Sequence, residues 1–190
     1  MKHKCIDDYG ITPLIHKDKI SNRIKELASE IVLTTDGAVN IIPMMTGSLY
    51  FVADLKKELE LIKPSNWYIY PVIVSSYKNE TTNDIPKITT SDHFESTINK
   101  NNETILIDDL ADTGDSLVYL KEYIKNIINN KIKICVLVNK PYYRKSKLNI
   151  NYKGFQYNNK DWLVGYGMDD MGLVRPAQCI GTITPAGSGG

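Results

Sequence analysis

Four carboxylates and two hydroxyls crowd into nine consecutive residues, Asp108-Asp109-Leu110-Ala111-Asp112-Thr113-Gly114-Asp115-Ser116. Thr113, Gly114, Asp115 and Ser116 form a loop of small and hydroxylic residues. Such a loop, feeding a helix N-terminus, turns backbone N–H groups toward one spot and suits a phosphate. Capping alone accounts for Asp115 or Ser116 as an N-cap. It does not account for three further acids at the end of a buried strand.

The flanking residues say how this cluster is held. Ile105-Leu106-Ile107 reads as a short buried strand, with Asp108 and Asp109 where it ends. Leu117, Leu120, Ile124, Ile127 and Ile128 recur at helical spacing. The order is therefore strand, acidic pair, loop, helix, and in open α/β sheets ligands bind at the carboxyl ends of strands.

Elsewhere, Lys17 to Val32 reads as a one-faced helix through Ile20, Ile24, Leu27, Ala28 and Ile31. Val39 to Met45 reads as a strand, with Pro43 against it. Thr46-Gly47-Ser48 is a tight turn, and Leu49 to Leu61 a helix. Trp67 to Val74 is β-rich, and Ser76 to Thr90 reads as a long irregular loop. His93 to Asn102 has room for one helical turn. Lys131 to Val138, Leu148 to Phe155 (an edge strand) and Trp162 to Val164 complete the strands. Strands alternating with helices predict an α/β fold with a mostly parallel sheet flanked by helices.

The chain has 190 residues and 42% hydrophobic content, which fits one domain with a real core, expected over residues 1–185. Residues 186–190 are expected to be a disordered tail. Net charge is +1, with 23 basic and 22 acidic residues interspersed, so no basic stripe argues for nucleic acid. No apolar run approaches the roughly 20 residues of a membrane span, and no secretion signal follows Met1. The scattered Cys5, Cys135 and Cys179 suggest reduced thiols and a cytoplasmic protein.

The run Thr104-Ile105-Leu106-Ile107-Asp108-Asp109-Leu110-Ala111-Asp112-Thr113-Gly114-Asp115-Ser116 resembles the phosphoribosyl pyrophosphate (PRPP) motif of the phosphoribosyltransferases, with only Thr104 straying from the apolar pattern. The resemblance extends from about Ile41 to about Ile183. Ile41 to Leu55 looks like the first pyrophosphate loop and following helix of hypoxanthine-guanine phosphoribosyltransferases. Thr46 and Gly47 fall in a loop that holds pyrophosphate, often through a non-proline cis peptide. Ser76 and Tyr77 resemble the mobile catalytic loop. Lys140 matches a lysine that contacts the purine's exocyclic oxygen. Trp162 falls where an aromatic ring stacks on the base, and Leu163 where backbone groups meet its edge. Gly165-Tyr166-Gly167-Met168-Asp169 resembles the family's Gly-Tyr-Gly-Leu-Asp, with Asp169 near a metal and pyrophosphate and Arg175 contacting pyrophosphate. Asp170, where an aromatic residue is usual, and Pro176, after the arginine, depart from the pattern. Asp170 to Val174 is also similar to a stretch of bacterial xanthine-guanine enzymes.

The resemblance implies a small C-terminal hood over the sheet and a homodimer or homotetramer. It implies transfer of a 5-phosphoribosyl group from PRPP to a 6-oxopurine (hypoxanthine, guanine or xanthine) in purine salvage. Asp108 and Asp109 would accept the ribose hydroxyls, and Asp108, Asp109 and Asp169 would serve Mg2+. Thr113 to Ser116 would cradle the 5′-phosphate, and Asp112 would be the general acid/base.

Two alternatives stand beside this. One is a regulatory PRPP- or nucleotide-binding protein on the same fold, which would need a basic face. The other is a phosphoribosyltransferase for another base, such as adenine or orotate. Haloacid-type phosphatases fail because Leu110 breaks the required acid spacing, and no P-loop is present.

Overall fold

The computed structural model describes residues 11–76, 86–170, 172 and 174–183. The elements run β1 (Ile11–Ile15), α1 (Lys17–Leu33), β2 (Val39–Met45), α2 (Leu49–Ile62), β3 (Trp67–Ile69), β4 (Val72–Ser76), β5 (Pro86–Thr89), α3 (Phe94–Thr97), β6 (Glu103–Ala111), α4 (Asp115–Lys125), β7 (Ile132–Asn139), β8 (Tyr152–Gln156), β9 (Trp162–Val164) and β10 (Ile180–Ile183). The main sheet has the order β5-β4-β2-β6-β7-β8, with β3 also on β2. Its pairings are parallel except β4 with β5.

The sheet carries apolar side chains on both faces, as helices on both sides demand. Ile41, Ile105, Ile107 and Leu137 pack with α1 and α2 through Ile24, Leu27, Phe51 and Leu55. Their neighbours Ile42, Leu106, Ile134 and Val136 face the other way, with α4 through Leu117, Leu120 and Ile124. Each such side chain contributes about 1.5–3 kcal/mol when fully buried. Thr104, fully buried, accepts a hydrogen bond from Asn40 Nδ2 at 3.2 Å, which is why a hydroxyl is tolerated there.

The central strand does not stop at the acids. β6 runs on to Ala111, pairing Asp108 with Val136 and Leu110 with Val138 on β7. The pairing is made by the backbone, so polar side chains near the sheet's open end do not end it. Trp67 to Val74 splits into β3 and β4. The β2 ladder lapses between the pairs Ile41–Ile69 and Met44–Val72, where Pro43 and Pro71 stand opposite each other. The Ile41 carbonyl accepts from Tyr70 N–H on that side. Strand backbone groups alternate between neighbours, so Pro43, two residues on, turns its missing donor to the same lapse. The stretch read as an irregular loop contains β5, whose antiparallel pairing with β4 supplies an order no local pattern signals. The strand placed at Leu148 to Phe155 begins only at Tyr152, and it is the sheet edge.

A second, antiparallel sheet β1-β10-β9 forms the hood. Its C-terminal strands are joined by the N-terminal β1, which pairs with β10 from Ile11–Ile183 to Ile15–Ile180. Cys135 and Cys179 are both buried. The expected tail at 186–190 lies outside the described residues, as does Tyr77.

Candidate active site

The carboxyl ends of β2, β6 and β7 open beneath the hood. There Gly47, Asp109, Leu110, Asp112, Lys140, Trp162, Leu163, Met168, Asp169 and Arg175 line a cleft of about 290 Å3. Of these, Asp109 and Asp112 belong to the acidic run whose residue types and spacing pointed to chemistry, Gly47, Lys140, Trp162, Leu163, Asp169 and Arg175 are positions that the resemblance implied, and Leu110 and Met168 join them. Thr46 adjoins the cleft through Gly47. Asp108 and the loop from Thr113 to Ser116 lie beside it rather than in its lining. Ser76 ends β4, its backbone paired with Pro86.

The first wall is the turn after β2. Its Met45–Thr46 peptide is cis. Gly47 is required here, because an added Cβ would stand 2.6 Å from both carboxylate oxygens of Asp109. Alternation along β6 sends Asp109 to the same face as Ile107, under this turn, and Asp108 to the other. The Asp109 backbone N–H donates to Asp108 Oδ1 at 3.0 Å. Burial, followed by the charge of Asp109, holds the Asp108 carboxyl well above the ordinary carboxylate range. Asp109 is raised by burial too, against hydrogen bonds and the Arg175 charge that lower it.

The floor is made by Asp112 and Lys140. Lys140 follows β7, where its backbone N–H donates to Ala111 O at 2.9 Å. Its ammonium, 2% exposed, pairs with Asp112 Oδ2 at 2.8 Å. Asp112 Oδ1 is closed off from solvent and has no hydrogen-bond partner among the described residues.

The phosphate-type loop is tied down by a segment with no obvious signal in the sequence. After the Pro141–Tyr143 turn, Arg144 Nε donates to Asp112 O at 3.0 Å and its Nη2 to Ala111 O. Ser146 Oγ donates to Thr113 O at 2.8 Å. In a trans peptide the C=O and the following N–H point opposite ways. Holding the carbonyls of residues 111–113 on the Arg144 side therefore turns the amides of Asp112, Thr113 and Gly114 to the opposite side. Gly114 takes φ 82°, left-handed, and is the N-cap of α4. Asp115 and Ser116 follow in its first turn, where the helix dipole favours an anion. The one available hint was Pro141, which cannot extend β7 and sends the chain back over the loop.

The hood supplies the remaining wall. Trp162 on β9 is 57% exposed, and its Nε1 donates to Asp169 O at 3.1 Å. Leu163, next to it, is buried. Arg175 Nη2 pairs with Asp169 Oδ1 at 2.6 Å, and its Nη1 donates to Gly167 O at 2.6 Å. Asp169 Oδ2 accepts from the Gly172 N–H at 2.6 Å, so both carboxylate oxygens are engaged. Among the described residues, no three His, Cys, Asp or Glu side chains gather as a metal-binding group. No described helix is long and apolar enough to cross a membrane.

The cleft therefore holds the buried Asp109, an ion pair with one unpartnered oxygen and an exposed indole, with Asp108 and a tied-down loop of outward amides beside it. A phosphoribosyl transferase domain profile matches residues 14–171. The hypoxanthine-guanine phosphoribosyltransferase of Bacillus subtilis is 28% identical over 174 residues, 91% of this chain and 93% of its own. The Staphylococcus aureus enzyme of the same name is 29% identical over 175 residues, with 90% and 93% coverage. Among solved structures, a hypoxanthine-guanine phosphoribosyltransferase from Bacillus anthracis superposes with a TM-score of 0.78 at 30% identity, covering 91% of this chain and 98% of that one. With the profile spanning most of its length, this chain belongs to the phosphoribosyl transferase domain family.

Proposed function

We propose that this protein transfers the 5-phosphoribosyl group of PRPP to a ring nitrogen of a 6-oxopurine, releasing pyrophosphate. The observation that carries the reading is the Lys140–Asp112 pair in the cleft, beside the exposed face of Trp162. An ammonium has donors only, so it favours a 6-oxo group over a 6-amino group. Trp162 offers a stacking surface, and Leu163 the adjoining backbone. Lys140 occupies Asp112 Oδ2, and no described group pairs with the buried Oδ1, so a purine ring nitrogen seated against Asp112 would meet an oxygen that lacks a partner, which favours Asp112 as the acid/base.

The outward amides from Asp112 to Gly114, with Asp115 and Ser116 at the start of α4, suit the 5′-phosphate. Asp108 and Asp109 suit the ribose hydroxyls, and the negative charge that the pair carries would stabilise positive charge building on the sugar. Thr46, Gly47 and Arg175 suit the pyrophosphate end. Mg2+ fits this donor set. It binds through one or two carboxylates together with substrate phosphates rather than in an all-protein cage, and Asp108 and Asp109 are the carboxylates nearest the task. When bound, it would neutralise charge on the leaving pyrophosphate. Asp169 serves the same end by holding Arg175. β3 and β4 expose Tyr68, Ile69 and Ile73, side chains that a homodimer or homotetramer contact would cover.

The test is pyrophosphate release from PRPP and Mg2+ with hypoxanthine, guanine, xanthine, adenine and orotate in parallel. Turnover with one or more 6-oxopurines, and none with adenine or orotate, is expected. PRPP binding without turnover on any base would overturn the enzyme reading in favour of a regulatory one.

A further inference from the structure

One close contact between the hood and α2 has no part in the roles given above. Gly165, Tyr166 and Gly167 all adopt positive φ, at 90°, 51° and 107°. For Tyr166 this conformation is uncommon, since its side chain must be accommodated. The turn is held from below: Tyr166 N–H donates to Ala177 O at 2.8 Å and Gly167 N–H to Arg175 O at 3.0 Å. The same conformation sends the Tyr166 ring away from the cleft onto α2. There its hydroxyl donates to Asp54 Oδ2 at 2.5 Å, and its ring lies 6.2 Å from that of Tyr50. Tyr166 is 8% exposed.

The position of this bond matters. Asp54 sits on the helix that begins immediately after the Thr46–Ser48 turn. On the other side of the Tyr166 backbone, Gly167 lies so close to that turn that an added Cβ would stand 2.0 Å from Gly47 O. Gly167 O in turn accepts from Arg175, which pairs with Asp169. The two walls at the pyrophosphate end of the cleft thus touch at Gly47 and Gly167. They are joined by a side-chain hydrogen bond at Tyr166 and Asp54.

We propose that Tyr166 and Asp54 are a positioning pair that seats the 165–169 turn on the 46–48 turn and sets the spacing of the pyrophosphate subsite. This rests on the transfer reaction proposed above. Neither residue touches the reacting atoms. A hydrogen bond to a charged acceptor is among the stronger side-chain contacts, and its loss leaves the half-buried Asp54 carboxylate with Lys57 Nζ, 3.0 Å from Oδ1, and nothing joining it to the hood turn.

The experiment is a double-mutant cycle with Tyr166→Phe, Asp54→Ala and both together, plus Asp54→Asn, which still accepts from the phenol. Binding of inorganic pyrophosphate with Mg2+ is measured by calorimetry, alongside KM for PRPP, KM for the base, kcat and Tm. Each single variant is expected to weaken pyrophosphate and raise the PRPP KM about tenfold. Base KM should change less than about threefold on the same scale, because Trp162 and Lys140 are carried by other elements. The double variant should be no worse than either single, and Asp54→Asn should stay near wild type. A lowered Tm with unchanged pyrophosphate affinity, or fully additive losses, would overturn the pair. A wild-type protein that binds no pyrophosphate would instead strike the transfer reading itself.

Discussion

The Lys140 ammonium lies 2.8 Å from Asp112 Oδ2 and is almost wholly removed from solvent, while Asp112 Oδ1 is buried with no partner among the described residues. One carboxylate thus has one oxygen paired and one, closed to solvent, without a partner. Asp112→Asn is expected to lower kcat by about 10²- to 10⁴-fold, the usual range for a lost general acid/base. It also strips the buried lysine of its counter-charge. The stability loss should be about 2 kcal/mol, below that of a fully buried pair because Asp112 keeps some solvent contact. Steady-state kinetics and denaturant unfolding check both. A kcat within about threefold of wild type would remove Asp112 from the chemistry.

Trp162 gives the cleanest separation of binding from folding. A core tryptophan would unfold the protein on truncation, but this one is 57% exposed. Trp162→Ala is expected to raise the base KM about tenfold, from a stacking contribution of about 1–3 kcal/mol. The PRPP KM and the Tm should hardly move, as for most surface substitutions. A collapse in Tm would contradict the exposed placement.

Arg144 acts on the loop through carbonyls, with Nε on Asp112 O at 3.0 Å and Nη2 on Ala111 O. Arg144→Ala releases both, leaving the amides of the loop free to turn. The PRPP KM is expected to rise about tenfold or more, for two hydrogen bonds from a charged donor, with the base KM much less affected. Arg144→Lys should recover only part, since an ammonium cannot reproduce the planar fork. An equal rise in both KM values would mean general damage to the cleft.

The acidic pair makes stability pH-dependent. Asp108 is raised well above the ordinary value of about 3.9, by burial first and the Asp109 charge second. Below that ordinary value both folded and unfolded chains carry the proton, and this group costs nothing. As pH rises from that value toward the raised folded-state value, the unfolded chain has released its proton and the folded chain has not, so the folded state loses stability until both have released it. Asp108→Asn keeps an acceptor for the Asp109 N–H and removes the titration. Its stability advantage over wild type, measured without ligand, should therefore grow as pH rises from about 4. A difference that stays flat across pH would show that Asp108 is not held protonated by its surroundings.

Much of this site could be read along the chain, because its parts are local. Apolar residues around Ile105 to Ile107, then small and hydroxylic residues, then helical spacing specify strand, loop and helix within about twenty residues. That order alone places Asp108 to Ser116 at a sheet's open end. The Val39 to Met45 strand and the Gly47 turn were equally legible. β5 and β1 were not, since each is ordered by a partner strand far away, β4 and β10, and carries proline within it.

The sequence by itself determined the α/β pattern, the acidic loop and the residue types available to a phosphoribosyl donor. Tertiary structure alone decided which of them meet. Lys140 reaches Asp112 because β7 lies beside β6 in a register that places Ala111 opposite Asn139. Arg144 reaches the loop because Pro141 turns the chain back, and Trp162 is exposed because β9 belongs to the hood. Tyr166 finds Asp54, 112 residues away, because the hood rests on α2. Periodicity and turn chemistry act over a few residues. Contacts across strands and layers depend on register and packing, which no local stretch encodes.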